Sequence, residues 1–82
     1  MILVDVYVPS VNKQFDFKLD ENVYIANIIE EIGGMMVAIA NDLDKQKIND
    51  LLLCDYATNR ILPLDATLKQ CQIMNGSRLV LV

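Results

Sequence analysis

Residues 15–32 read FDFKLDENVYIANIIEEI, and the spacing of their apolar side chains changes part-way through. Phe15, Phe17 and Leu19 alternate with charged residues, which is the period-two pattern of a strand with one buried face. From Ile25 onward the apolar residues recur at spacings of three and four, which is typical of an amphipathic helix. The stretch therefore predicts a strand that leads directly into a helix.

The predicted helix carries a long apolar stripe with a glycine pair inside it. Asp20 and Asn22 precede the stripe and are residue types that cap helix N-termini, and Glu21 suits the positive end of the helix dipole. Gly33–Gly34 interrupts the stripe, and each glycine costs about 1 kcal/mol in a helix interior. The pattern leaves open whether the helix ends there or continues to about residue 43. The stripe consists of Ile25, Ile28, Ile29, Ile32, Met35, Met36, Ile39 and Leu43.

Further strands are predicted on both sides of this unit. ILVDVYV at 2–8 forms a β-hairpin with the strand at 15–20, across the turn PSVNKQ. After a polar stretch, the predicted elements are a third strand LLLCDY at 51–56, a short fourth strand ILPL at 61–64 stopped by Pro63, a single helical turn DATLKQCQI at 65–73, and a final strand RLVLV at 78–82. This order predicts an α+β protein with a β-grasp fold. One domain spans 1–82, with a mixed sheet of four to five strands, one main helix across one face, and the last strand parallel to the first.

Charge and hydropathy narrow the class of partner. The formal net charge is −4, and the seven basic residues are scattered, so neither a nucleic acid nor an anionic membrane surface is expected to bind. The apolar runs are far shorter than the ~20 residues of a transmembrane helix, and the N-terminus lacks the features of a signal peptide. We therefore expect a cytoplasmic protein with two reduced thiols, Cys54 and Cys71.

The side-chain chemistry argues against catalysis. The chain has no histidine, which excludes Ser–His–Asp triads, Cys–His pairs and His-ligated zinc. DLDKQKINDLLL, from Asp42, has acids at the first and third places of a calcium loop, but Lys47 stands at the sixth place and Leu53 at the twelfth. We therefore expect no catalytic, cofactor-binding or metal-binding residue, and no enzyme.

Strand alternation predicts which side chains the sheet presents on each face. The expected core residues are Val4, Val6, Val8, Phe15, Phe17, Leu19, Leu51, Leu53, Leu79 and Leu81. On the other face we expect Leu3, Val80 and Leu52 side by side, with Tyr7, Cys54 and Val82 around them. Such an apolar patch is typical of a surface that binds a protein partner or a second copy of the chain. The alternative is that a loop, the last turn or a shift of register covers part of the set.

The sequence resembles the ubiquitin superfamily. YIANIIEEI, from Tyr24, resembles the start of the ubiquitin helix, and ILPLDATLKQCQIMNGSRLVLV, from Ile61, resembles the C-terminal half. Within the superfamily, INDLLLCD at 48–55 and the ending with Thr67-Leu68, Ile73, Gly76 and Arg78-Leu79 are similar to the YukD/EsaB group. Those proteins are accessory components of the type VII (ESX-like) secretion systems of Gram-positive bacteria, and larger relatives fuse a similar domain to a transmembrane channel subunit.

The resemblance implies a function by surface contact. Ubiquitin-type modifiers and the related sulfur carriers act through a C-terminal diglycine tail, whereas the sequence here ends at Val82, so we expect neither conjugation nor sulfur transfer. Leu52 and Val82 match two positions of the hydrophobic patch through which ubiquitin binds partners. The implied function is a non-catalytic interaction module that docks on membrane or ATPase components of the secretion apparatus, at the inner face of the membrane and without insertion. The alternatives are a sulfur-carrier-like or other adaptor subunit of an enzyme complex, and a small structural homodimer.

Overall fold

The computed structural model describes residues 1–40 and 50–82. Its elements are β1 (Ile2–Val8), β2 (Lys13–Leu19), α1 (Ile25–Ala40), β3 (Leu53–Asp55), β4 (Arg60–Ile61) and β5 (Arg78–Leu81). The strands form one sheet in the order β2-β1-β5-β3-β4, with β5 parallel to β1 and the other neighbours antiparallel. This is the predicted β-grasp arrangement, and the fold prediction is confirmed. Three predicted features lie outside the described part of the chain. They are the side chain of Ile39, the residue Leu43, and the first part of the calcium-loop stretch, residues 42–49.

The N-terminal hairpin follows the alternation of its two strands. Val4 faces Phe17 and Val6 faces Phe15 across the β1–β2 ladder, so apolar side chains meet on the face that the core covers. The turn between the strands is closed by the amide of Asn12, which donates to the carbonyl of Pro9 at 3.1 Å. Asn12 has φ of 51°, a left-handed conformation that asparagine tolerates better than most residues.

The helix is continuous through the glycine pair, which resolves the question that the sequence left open. Gly33 is buried, Gly34 is exposed, and α1 runs past both to Ala40. The stripe predicted from the sequence is buried at Ile25, Ile28, Ile29, Ile32 and Met36, whereas Met35 is exposed.

The start of the helix differs from the prediction, because neither Asp20 nor Asn22 caps it. Asp20 Oδ1 accepts instead from the amide of Asn22 at 2.9 Å, before the helix begins. The first helical amides, those of Ile25 and Ala26, donate to backbone carbonyls in the segment after β4, at 2.8 and 3.1 Å. The acceptors are the carbonyls of Ala66 and Leu64. A distant loop therefore satisfies donors that a local side chain was expected to satisfy.

The C-terminal strands are shorter than the alternation suggested. β3 covers three residues and β4 covers two. β4 is not extended past Pro63, because proline has no backbone N–H to donate to a ladder. The side chain of buried Asp55 closes the turn between them: Oδ1 accepts from the amide of Ala57 at 3.2 Å and Oδ2 from the hydroxyl of Thr58 at 3.0 Å. The predicted helical turn at 65–73 consists of consecutive hydrogen-bonded turns, in which Cys71 donates to the carbonyl of Thr67.

The core lies between α1 and one face of the sheet. Phe15 and Leu51, which were predicted as core residues, are only half-buried and pack against its margin. Phe15 belongs to the edge strand β2, and Leu51 precedes β3, so neither is enclosed on all sides. No helix in the described ranges has both the length and the apolar character that a membrane span requires. The buried apolar residues are Val4, Val6, Val8, Phe17, Leu19, Ile25, Ile28, Ile29, Ile32, Met36, Leu53, Leu62, Leu68, Cys71, Ile73, Leu79 and Leu81.

Candidate protein-interaction face

The sheet has one face under the helix and one face away from it, which we call the open face. Its side chains come from alternate residues of all five strands and from the residues that continue those strands. Because the pairing register is defined, the side chains can be placed in transverse rows. The open face comprises Leu3, Asp5, Tyr7, Gln14, Asp16, Lys18, Leu52, Cys54, Tyr56, Ile61, Arg78, Val80 and Val82.

One transverse row is apolar across four strands, and we call it the apolar row. Tyr7 on β1 faces Val80 on β5, Val80 faces Cys54 on β3, and Cys54 faces Ile61 on β4. Tyr7, Val80 and Cys54 are half-buried by their neighbours, whereas Ile61 at the edge is 58% exposed. The hydroxyl of Tyr7 lies 2.9 Å from Asn12 Oδ1, a hydrogen bond that anchors the end of the row to the hairpin turn.

A second apolar pair lies beside the apolar row. Leu52 and Val82 exchange two backbone hydrogen bonds, 2.6 Å from the amide of Leu52 and 2.9 Å from that of Val82. Both side chains are exposed, Val82 to 51%. The pair continues the β3–β5 ladder by one row, so these side chains extend the apolar surface on one side.

A polar row borders the apolar row on its other side. Arg78 Nε donates to Asp5 Oδ2 at 3.0 Å, and the side chain of Gln14 also donates to that oxygen through Nε2. The guanidinium carbon of Arg78 lies 5.6 Å from the ring centroid of Tyr56, a cation–π distance. The arginine is therefore held from two directions at the margin of the apolar surface.

Leu3 is separated from the other predicted residues, which corrects the expected arrangement. The prediction placed Leu3 beside Val80 and Leu52, but the parallel register pairs Val80 with Tyr7. The carbonyl of Leu3 instead accepts from the amide of Gly76 at 2.8 Å, and its amide donates to Asn75 Oδ1 at 2.8 Å. Leu3 lies four positions before Tyr7 on β1, which is about 13 Å of extended chain. The polar row therefore stands between Leu3 and the rest of the apolar surface.

The sequence argument missed two large hydrophobic contributors to the open face. Ile61 and Tyr56 both lie on it, and both are exposed. The alternation of the strand could have identified Ile61. Leu62 is buried in the core, and successive side chains of a strand point to opposite faces, so Ile61 must point to the open face. Tyr56 follows from the same rule once Asp55 is known to be buried.

The two cysteines occupy different surroundings. Cys54 is half-buried on the apolar row, whereas Cys71 is buried in the core beside the turns that precede β5. Both carry free thiols. Within residues 1–40 and 50–82, no three His, Cys, Asp or Glu side chains are grouped so that they could hold a metal ion.

Two concave sites among the described residues lie away from the open face. One shallow groove of about 510 Å³ lies between the start of α1 and the segment after β4, lined by Tyr24, Ala26, Asn27, Leu64 and Asp65. Another, of about 620 Å³, lies beside the final turn and includes Ile2, Glu21 and Met74. Both grooves are open to solvent, and neither is lined by a residue of the open face.

Solved structures share this architecture. The EccD5 ubiquitin-like domain from Mycobacterium xenopi superposes with a TM-score of 0.79 at 17% identity, covering 99% of this chain and 91% of that chain. The fold is ubiquitin-like. Ubiquitin from Caldiarchaeum subterraneum has a TM-score of 0.72 at 14% identity, covering 98% of this chain and 89% of that chain.

A designed protein based on the template of human erythrocytic ubiquitin is also similar. Its TM-score is 0.74 at 20% identity, with 100% of this chain and 90% of that chain covered. At these identities the similarity is one of fold. No protein-family profile matches the chain, and no curated protein matches it in sequence.

Proposed function

We propose that this ubiquitin-like domain is a non-catalytic protein-interaction module that binds a protein partner through the open face. The observation that carries the proposal is the apolar row, which crosses four strands and ends in the exposed Ile61. A contiguous apolar surface of this kind costs solubility unless another molecule covers it. Burial of each Leu, Ile or Val side chain on it would contribute about 1.5–3 kcal/mol.

The partner that we propose is a membrane or ATPase component of a bacterial type VII secretion system, bound by a YukD/EsaB-type accessory protein in the cytoplasm. This assignment is supported by the resemblance of INDLLLCD and of the ending from Thr67 to that group. The structural similarity to the EccD5 domain concerns the fold, so the secretion assignment rests on the sequence resemblance.

The experiment introduces a charge on the open face and measures co-purification from a Gram-positive host. Ile61→Glu and Leu52→Glu each place a carboxylate where an apolar contact is expected, at side chains that are already exposed. Capture of secretion components, identified by mass spectrometry, should fall by about tenfold or more, because each contact is worth at least about 1.5 kcal/mol.

The matched control is Met74→Glu, since Met74 is 69% exposed and lies outside the open face. It adds the same charge and should leave capture unchanged, and circular dichroism should show all three variants folded. Equal capture by wild type and by both open-face variants would refute the binding face. Capture that responds to these variants but contains no secretion component would refute the secretion assignment alone.

A further inference from the structure

One dipeptide of the final turn carries chemistry that the proposed function does not use. Asn75 is the one asparagine of the 82-residue sequence that is followed by a glycine. The backbone nitrogen of the next residue can attack the carboxamide carbon of an asparagine, and glycine leaves this attack the most room because it has no side chain. Asn75–Gly76 is therefore the pair in this chain with the greatest intrinsic tendency to deamidate.

The fold holds both reacting groups of this pair. Asn75 and Gly76 are the central residues of a turn in which the amide of Ser77 donates to the carbonyl of Met74 at 3.0 Å. The amide of Gly76, whose nitrogen is the nucleophile, donates to the carbonyl of Leu3 at 2.8 Å. The carboxamide of Asn75 accepts at Oδ1 from the amide of Leu3, also at 2.8 Å. One residue of β1 thus occupies the nucleophile and fixes the electrophile, and we call these two hydrogen bonds the Leu3 clasp.

The Leu3 clasp lies at the surface, near one end of the sheet. Asn75 is exposed, and Leu3 is 46% exposed. The groove beside the final turn is lined in part by Asn75 and Ile2, so solvent has access to the carboxamide. Leu3 is the second residue of β1, and strand ends open more often than the centre of a sheet. The clasp can therefore break by a local opening, while the core stays packed.

We propose that Asn75 is a deamidation site and that the Leu3 clasp controls the rate of its reaction. When Leu3 separates from the turn, the Gly76 nitrogen loses its proton to hydroxide and attacks Asn75 Cγ. The new N–C bond replaces the bond from Cγ to Nδ2, and the departing nitrogen takes up a proton and leaves as ammonia. Water then opens the resulting succinimide ring at either carbonyl, which gives aspartate or isoaspartate at this position. One water is consumed for each ammonia released, and no oxidant or reductant takes part.

The isoaspartyl product alters the contact between β1 and β5. Its main chain runs through the former side chain and is one carbon longer, so it moves Gly76 away from the carbonyl of Leu3. The amide of Asp5 donates to the carbonyl of Ser77 at 3.0 Å, one residue further along, so the displacement reaches the parallel ladder. The aspartyl product keeps the length of the backbone. Isoaspartate formation thus turns a brief opening of β1 into a lasting change in the sheet, whether or not a partner is bound.

The test compares deamidation of the full chain in its folded state and in concentrated guanidinium chloride, at mildly alkaline pH. Peptide mapping by mass spectrometry follows the conversion of amide to acid at Asn75. Asn12 and Asn59 are internal references, because both are exposed in turns but precede bulky residues. In guanidinium Asn75 should react faster than both references. In the folded chain its rate should fall by about tenfold or more, because the reaction then waits for an opening of low population.

Hydrogen exchange at the Gly76 amide measures the same opening independently. Because the nitrogen of that amide is the nucleophile, its protection factor and the folded-state slowing of deamidation should agree within about threefold. A disagreement of more than about tenfold, or equal deamidation rates in the folded and unfolded chain, would overturn the role of the clasp.

Two variants separate local opening from global unfolding. Leu3→Pro removes the amide that donates to Asn75 and should raise the folded-state rate toward that of the unfolded chain. Leu62→Ala removes a core contact outside the clasp and should leave the rate within about twofold while the protein stays folded. Equal acceleration by both variants would show that deamidation needs global unfolding and would contradict local control. If Leu3→Pro does not fold, the comparison of exchange and deamidation in the unaltered chain decides the question.

Discussion

Arg78 on β5 and Asp5 on β1 are bonded at 3.0 Å although they lie 73 positions apart in the chain. The pair joins the last strand to the first and forms the border of the apolar row. Because it crosses the parallel β1–β5 ladder, it reports directly on the pairing of the two strands.

We expect the coupling between Asp5 and Arg78 to be small. In a double-mutant cycle of Asp5→Ala and Arg78→Ala, the interaction energy measured by urea unfolding should be about 0.2–1 kcal/mol and should fall as salt is added, because the arginine is half-exposed. Asp16→Ala is the control, since this exposed residue faces Asp5 from β2. Its coupling to Arg78 should be near zero. A coupling above about 2 kcal/mol, insensitive to salt, would contradict the solvated geometry.

The two described glycines with room for a side chain should respond in opposite directions. A Cβ at either Gly34 or Gly76 would meet no atom within 4 Å, but Gly76 has φ of +89°. Gly34→Ala should raise the free energy of unfolding by about 1 kcal/mol, because alanine is the better helix former. Gly76→Ala should lower it by about 1 kcal/mol or more, because the left-handed backbone strains a Cβ. Urea denaturation of both variants measures the difference, and a loss at Gly34 would count against a continuous helix.

Adjacent apolar residues at the end of β4 should differ sharply in their contribution to stability. Leu62 is 1% exposed and belongs to the core, whereas Ile61 points to the open face. Leu62→Ala should lower the free energy of unfolding by about 2–5 kcal/mol, and Ile61→Ala by less than about 1 kcal/mol. Thermal or urea unfolding gives both values. Equal losses would mean that Ile61 is also a core residue and would remove it from the open face.

The two thiols should react at different rates in the folded protein. Cys54 is half-buried on the open face and Cys71 is 7% exposed in the core. A thiol reagent should modify Cys54 under native conditions and reach Cys71 only when the domain opens, so that urea accelerates the second reaction much more. Cys54→Ser and Cys71→Ser variants assign the two phases. Rapid labelling of Cys71 in the absence of urea would show that the packing beside the final turns is looser than described.

The sequence predicted the elements of the fold and the faces of its strands, because these depend on local spacing. The alternation of residues 2–8 and 15–19 placed apolar side chains on the core side, and the three-and-four spacing from Ile25 marked the buried side of α1. The helix start was predicted incorrectly, because the acceptors for its first amides are the carbonyls of Leu64 and Ala66, some forty residues away. No local sequence pattern indicates a hydrogen-bond acceptor that lies so far away in the chain.

The amino-acid sequence by itself determined that this chain has one buried and one open sheet face, and that both Leu3 and Val80 belong to the open one. Only the tertiary structure decided which residues of that face are neighbours. If one strand moves past another by two positions, every side chain stays on the same face of the sheet. The alternation of apolar and polar residues therefore does not distinguish the two registers. The register is defined by the backbone pairing between strands that are distant in the chain. This pairing aligns Tyr7, Val80, Cys54 and Ile61 in one row, and it places Asp5 and Arg78 between that row and Leu3.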